Sequence, residues 1–176
     1  MALTEEKFNQ GMSTQEYIDQ IKVNKQPFLD IFQALDVPAK VKSQFDGLAE
    51  PLRLAVFTAD WCGDAVNTLP VVARFAEEVG WDLRVLSRDE NLDLMDAHLT
   101  NGRSRSIPVV IVYDESFNEV GWWGPRPREI QDWVMHEGLA VPLPERYKTV
   151  RRRYAKDRGR TTLQELLDVL RKAAWR

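Results

Sequence analysis

The chain is poor in cysteine and histidine: its 176 residues include one Cys and two His. A single cysteine excludes an intramolecular disulfide, and a chain without disulfides is typical of a reducing cytosol. A cysteine-rich metal site is also excluded, and His98 and His136 are too far apart in sequence to suggest a zinc site. We therefore expect neither a metal nor a cofactor.

Long apolar runs are missing as well. No segment approaches the roughly 20 apolar residues that a helix needs to cross a bilayer. The first residues have neither the basic nor the apolar region of a secretory signal. We therefore expect a cytoplasmic protein that does not bind membranes.

Charge is distributed unevenly along the chain, although the net charge is only −3. Residues 144–176 carry 11 Lys and Arg against 4 Asp and Glu, whereas residues 51–143 carry 8 against 15. A basic run of this kind can bind nucleic acid or another anionic surface. No recognised nucleic-acid fold accompanies it, which favours a solvated helix face or a tail packed on the acidic middle.

The hydrophobic pattern divides the chain into three parts. Residues 1–50 read as a helical extension, in which Ser13 and Glu16 form a capping box. Residues 51–140 read as a core with the order β-α-β-α-β-β-α, and residues 141–176 as a basic extension ending in a helix over about 161–174. Strands that alternate with helices predict parallel pairing, and the final hairpin predicts an antiparallel edge.

The predicted elements of the core follow from apolar runs and turn residues. We predict strands over 52–58, 82–87, 108–113 and 119–123, and helices over about 63–79, 92–100 and 127–136. Trp122 and Trp123 alternate in the last strand, so one is expected in the core and the other at the surface, where it would suit a binding partner.

Cys62 lies between the first predicted strand and the helix that follows. The free N–H groups and the dipole of a helix N-terminus stabilise a thiolate, and Gly63 lets a substrate approach closely. Asp60 and Asp64 oppose this effect, because negative charge disfavours a thiolate. We expect a partly activated thiol; the alternative is a buried structural cysteine, since free cysteine is often buried.

The segment Phe57–Ala65 resembles the active-site segment of the thioredoxin superfamily, whose usual motif is Trp-Cys-Gly-Pro-Cys. Pro70 stands eight residues after Cys62, as the kink proline of that family does, and Ile107–Pro108 resembles its cis-proline. The run Trp-Cys-Gly-Asp followed by Asn-Thr-Leu-Pro resembles a single-cysteine subfamily of bacterial proteins. The resemblance implies a thioredoxin-like α/β fold, a central mixed sheet flanked by helices, with helical extensions at both ends.

The departures from the family motif concern the release of a bound substrate. Ala65 stands at the position of the second, resolving cysteine, and Val56 stands where thioredoxins usually bury an aspartate that assists proton transfer. Asp64 replaces the motif proline. One thiol can form a mixed disulfide, but its release needs a second thiol. The joint loss of resolving cysteine and acid favours a natural alanine over a laboratory substitution at Ala65.

These features predict monothiol thiol–disulfide exchange at Cys62, completed by an external thiol. The expected partners are a protein disulfide or a low-molecular-weight thiol such as glutathione or bacillithiol. The resemblance implies a substrate-binding edge at Ile107 and Pro108. Arg105 and Arg126 are candidates for binding a carboxylate or phosphate, and Trp61 is expected to shape the surface around the sulfur. The alternative is a non-catalytic thioredoxin-fold binding module, and the oligomeric state stays open.

Overall fold

The computed structural model describes residues 3–45 and 51–174. The strands are β1 (Arg53–Thr58), β2 (Asp82–Ser87), β3 (Val109–Tyr113) and β4 (Glu119–Trp123). The helices are α1 (Glu5–Asn9), α2 (Thr14–Gln20), α3 (Lys25–Ala34), α4 (Ala39–Lys42), α5 (Ala65–Val79), α6 (Leu92–Met95), α7 (Arg128–Met135), α8 (Leu143–Asp157) and α9 (Arg160–Ala174), with a 3₁₀ turn at Glu137–Ala140.

The strands form one mixed sheet in the order β2-β1-β3-β4. β1 pairs with β2 in parallel, and β3 pairs in antiparallel fashion with both β1 and β4. The predicted mixed sheet flanked by helices is therefore confirmed. Parallel pairing is correct for β1 and β2 but wrong for β3.

The direction of β3 follows from the short helix before it. A helix was expected over about 92–100, but α6 ends at Met95. Four helical residues are too few to carry the chain back along the sheet, as a parallel crossover requires. The chain therefore stays at the carboxyl end of β1, and Val109 at the start of β3 pairs with Phe57.

Apolar side chains cover both faces of the sheet, because successive side chains of a strand point to opposite sides. Leu54 and Val56 of β1 belong to the larger core cluster, which also contains residues of α5 and α9. Ala55 and Phe57 belong to a second cluster on the other face, together with Cys62. The thiol therefore lies on the sheet face opposite to Val56.

The N-terminal extension is attached to the sheet and to α5. The capping box of Ser13 and Glu16 is confirmed at the start of α2. Met12 forms a backbone bridge with Val85 of β2, and Phe28 of α3 is buried in the larger cluster. The predicted domain boundary at residue 50 lies outside the described residues.

The C-terminal extension is two helices rather than a tail with one helix. The sequence does not predict α8, because Pro142 and Pro144 are typical of a linker. Pro144 instead occupies the first turn of α8, where proline is tolerated. The predicted last helix is confirmed as α9, whose leucines are buried against α5 and β4. Trp123 Nε1 also donates to Glu165 of α9 at 2.8 Å. Both helices are thus part of the packed structure.

No helix in the described ranges 3–45 and 51–174 has the length and apolar character required to cross a bilayer.

If α9 belongs to the core, shortening one of its buried leucines should destabilise the whole domain. Leu166 is fully buried, so Leu166→Ala is expected to lower the free energy of unfolding by about 3 kcal/mol, measured by urea denaturation. Leu139→Ala, at a side chain that is 60% exposed, is the control and should change it by less than about 0.5 kcal/mol. Equal, small effects of both variants would show that α9 does not contribute to the core.

Candidate functional site

Cys62 lies in the turn that connects β1 to α5. Its N–H donates to Ala59 O at 3.1 Å, and its own carbonyl accepts from Val66 N at 3.1 Å, in the first turn of α5. The side chain is only 7% exposed. Its Sγ donates to the carbonyl oxygen of Ile107 across a distance of 3.3 Å. The thiol is thus fixed between the start of α5 and the segment that precedes β3.

The segment opposite the thiol is held by a close backbone approach. The peptide bond between Ile107 and Pro108 is cis, as is the one between Gly124 and Pro125. Gly124 has a φ of +142°, and a Cβ at this position would collide with the carbonyl oxygen of Pro108. Only glycine therefore fits here, where the chain leaving β4 passes directly beside Pro108, the residue that follows the hydrogen-bond acceptor of the thiol.

The surroundings of Cys62 raise the pKa of its thiol. Burial is the main cause, and the negative charge of Asp64 adds to it. The N–H groups of Ala65 and Asp64 at the start of α5 and the positive charge of Arg126 act in the opposite direction, without outweighing burial. The expectation of a partly activated thiol is therefore wrong, because burial outweighs the effect of the helix start. The burial itself agrees with the alternative of a buried cysteine.

Asp64 occupies the N-cap position of α5, but its side chain makes no capping hydrogen bond. One carboxylate oxygen accepts from Arg126 Nη2 at 2.6 Å, and the other accepts from the hydroxyl of Tyr154 at 2.9 Å. The ion pair is largely shielded from water, with the Arg126 and Asp64 side chains 18% and 15% exposed. Three parts of the chain that are distant in sequence therefore meet at Asp64, which stands two residues after Cys62.

The two arginines predicted to bind a substrate anion already contact carboxylates. Arg126 pairs with Asp64, whereas Arg105 binds both carboxylate oxygens of Asp96, at 2.6 and 2.8 Å. The pair of Arg105 and Asp96 lies at the surface, where such pairs stabilise a protein little. A substrate anion would have to compete with these carboxylates, and the substrate-binding role of both arginines stays a prediction.

Asp60 is directed towards the N-terminal extension. Its carboxylate accepts from the backbone N–H groups of Lys22 and Val23, and its carbonyl accepts from the side chain of Asn24. These bonds connect the loop before Cys62 to the segment between α2 and α3. The negative charge that acts on the thiol is accordingly that of Asp64.

The other predicted motif residues differ in exposure. Trp61 is 55% exposed and stacks with the guanidinium of Arg88 at 5.1 Å, and the space where a Gly63 Cβ would lie is open. Ala65 is buried in the same cluster as the thiol. One of the two tryptophans of β4 was expected in the core, and Trp123 is the one found there. Trp122, expected at the surface, is half-buried and packs against His98.

Two tyrosines near the thiol were not identified from the sequence. Burial and the charge of Asp64 raise the pKa of Tyr154, which comes from α8. Burial, then the charge of Asp60, and also Cys62 raise the pKa of Tyr17 of α2 to about 12. Both belong to extensions outside the recognised motif, and no local spacing connects them to Cys62. Only the apolar pattern around Tyr17 indicated that its helix is packed.

The two histidines bind helix carbonyls. Nδ1 of His98 contacts Leu94 O at 3.0 Å, and Nδ1 of His136 contacts Asp132 O at 2.7 Å. His98 also contacts Glu119, and although burial lowers its pKa, the hydrogen bonds to Glu119 and Leu94 raise it overall. Among residues 3–45 and 51–174, no cluster of His, Cys, Asp and Glu is arranged to hold a metal ion.

Residues 11–149 match the sequence model of a family described as Thioredoxin. A crystal structure of a Pseudomonas aeruginosa protein of unknown function superimposes with a TM-score of 0.76 at 21% identity, covering 98% of this chain and 99% of the other. An HIV epitope-scaffold superimposes with a TM-score of 0.73 at 19% identity, covering 97% and 99%.

These structural likenesses support the fold and carry no activity. No curated protein matches the chain.

The contact between Gly124 and Pro108 gives a test of how this site is held. Gly124→Ala should lower the free energy of unfolding by about 3 kcal/mol, because the added methyl group overlaps the Pro108 carbonyl and φ is unfavourable for alanine. Gly63→Ala, whose methyl group meets open space, is the control and should leave stability within about 0.5 kcal/mol. Urea denaturation measures both, and similar stabilities of the two variants would contradict the close approach.

Proposed function

Since the chain belongs to the thioredoxin family, we propose that Cys62 exchanges disulfides as a single thiol and that an external thiol completes its cycle. The observation that supports this most directly is the position of Sγ, at the start of α5 and 3.3 Å from the carbonyl of Ile107. The N–H groups of Asp64 and Ala65 favour the thiolate there. Ala65 leaves no second thiol in the motif.

The proposed chemistry is two exchange steps. The thiol of Cys62 first loses its proton to water, and the thiolate attacks one sulfur of a mixed disulfide. A bond forms between Sγ and that sulfur while the old disulfide breaks, and the other sulfur leaves as a thiolate. An external low-molecular-weight thiol then attacks the new mixed disulfide and releases Cys62. The protein begins and ends reduced, so the cycle needs no cofactor.

The substrate would approach past Gly63, where the surface is open. Trp61, next to the thiol in the chain, is exposed, and the backbone carbonyl of Ile107 lies 3.3 Å from Sγ. Arg105 is the more accessible of the two candidate arginines, at 43% exposure, and its surface pair with Asp96 is weak enough for a substrate carboxylate to replace. We accordingly assign Arg105 to an anionic group of the substrate.

A second function is favoured by a different observation. The thiol is buried and its pKa is raised, which is typical of an inert cysteine. Exposed Trp61 beside it would then contribute to a surface that binds a partner, because tryptophan is enriched at binding hot spots. In this alternative the chain is a non-catalytic binding module, and Cys62 only fills the second core cluster.

Both functions agree with a reducing compartment, in which a single cysteine stays free. We place the protein in the cytoplasm for this reason.

Exchange activity is tested with a peptide carrying a glutathione mixed disulfide and with free glutathione as the external thiol. Wild type is expected to release glutathione from the peptide, whereas Cys62→Ser, which cannot form the intermediate, should match the reaction without protein. When the external thiol is left out, the cycle should stop at the mixed disulfide, and intact mass should show a covalent adduct on Cys62. If wild type is as inactive as Cys62→Ser with each of several small external thiols, the non-catalytic binding module is favoured.

Gly63→Ala tests the direction of approach. Its methyl group would occupy the open space before the thiol without disturbing the fold. We expect the reaction of Cys62 with a bulky peptide disulfide to slow about tenfold, a change of about 1.4 kcal/mol in the barrier, while its reaction with small methanethiosulfonate changes little. If wild type and Gly63→Ala react with the bulky peptide disulfide at equal rates, the substrate does not approach the thiol past Gly63.

A further inference from the structure

The hydrogen bond between Tyr154 and Asp64 joins the C-terminal extension to the thiol motif. Its donor is the hydroxyl of Tyr154 in α8, its acceptor is one carboxylate oxygen of Asp64, and the two atoms are 2.9 Å apart. The residues are 90 positions apart in sequence. Tyr154 is almost completely buried, so its hydroxyl is committed to this acceptor rather than to water.

The second carboxylate oxygen of Asp64 is held by Arg126, at 2.6 Å. Two donors, one on each oxygen, therefore fix the orientation of the carboxylate. The side chain does not bind the free N–H groups of α5, although aspartate at an N-cap usually does. The N–H groups of Val66 and Asn67, which such a cap would bind, donate instead to the carbonyl oxygens of Cys62 and Asp64. The N–H groups that act on the sulfur are those of Asp64 and Ala65. The orientation of Asp64 thus decides where its negative charge lies relative to the sulfur.

We propose that Tyr154 is a positioning residue of the thiol site: its hydroxyl, together with Arg126, fixes the Asp64 carboxylate beside Cys62 and so sets the reactivity of the thiol. The proposal deepens the proposed function, since it concerns the same thiol. Tyr154 itself does not touch a substrate. It acts through Asp64, which distinguishes it from a residue that merely stabilises the fold.

The electrostatic surroundings of the sulfur support a role of this kind. The charge of Asp64 raises the pKa of Cys62, and that of Arg126 lowers it. Tyr17 of α2 is the group of the N-terminal extension that interacts electrostatically with the thiol, and Asp60 acts on Tyr17 as well. A hydrogen bond donated to a carboxylate disperses its negative charge. Removal of the Tyr154 hydroxyl should therefore strengthen the effect of Asp64 on the thiol.

The test is the rate at which iodoacetamide alkylates Cys62, followed from neutral to alkaline pH. Because the chain has one cysteine, the signal comes from this residue alone. Tyr154→Phe keeps the ring and loses only the hydroxyl, and we expect its alkylation at neutral pH to slow several-fold, with the pKa of the thiol shifted upwards. Tyr147→Phe, at an exposed tyrosine of the same helix, is the matched control and should behave as wild type.

Asp64→Asn separates positioning from a general loss of packing. Without the carboxylate charge, alkylation should be faster than in wild type, and adding Tyr154→Phe to Asp64→Asn should then change nothing. The proposal is overturned if Tyr154→Phe leaves the profile unchanged or speeds alkylation. It is also overturned if Tyr154→Phe slows alkylation as much in the Asp64→Asn background as it does in wild type. Alkylation needs no substrate, so these outcomes are independent of whether the protein catalyses exchange.

Discussion

The partnership of Asp64 with Arg126 and Tyr154 is the interaction on which the arrangement around the thiol depends. It brings together the start of α5, the segment that follows β4, and α8. A carboxylate with so little exposure needs donors, because an unpaired buried charge is costly. The local charge requirement of one motif residue thus fixes the relative position of three elements that are far apart in sequence.

The same site shows two opposing influences on one sulfur atom. The helix start and Arg126 favour the thiolate, whereas burial and Asp64 favour the protonated thiol, and the protonated form prevails. A buried, protonated thiol is protected from non-specific oxidation, since the thiolate is the reactive form. In the proposed exchange cycle, a bound substrate would have to alter this balance before the sulfur reacts.

The sequence was informative wherever a signal is local. The periodicity of α5 and the apolar run of β3 placed these elements within about two residues, and the capping box located α2. The position of Cys62 between a strand and a helix was equally clear. The mixed sheet also followed from the resemblance, although the direction of β3 depended on how short α6 proved to be.

The parts that could not be predicted depend on contacts between distant residues. The burial of Cys62 results from the packing of Ile107 against it, and no spacing rule gives a solvent exposure. No local spacing connects Arg126 to a carboxylate, because its partner Asp64 lies 62 residues away in sequence. Tyr154 lies in a basic run for which the sequence left open a solvated helix face or a tail packed on the acidic middle, and only the packing of α8 shows that this residue is buried.

The position of Tyr154 late in the chain also has a consequence for biosynthesis. Chains are synthesised from the N-terminus, and a domain generally folds as a unit. The strands and the cysteine are available while α8 is still being made, so the nascent chain holds Cys62 before Asp64 has its second donor. The thiol site of a partly synthesised molecule therefore differs from that of the finished one.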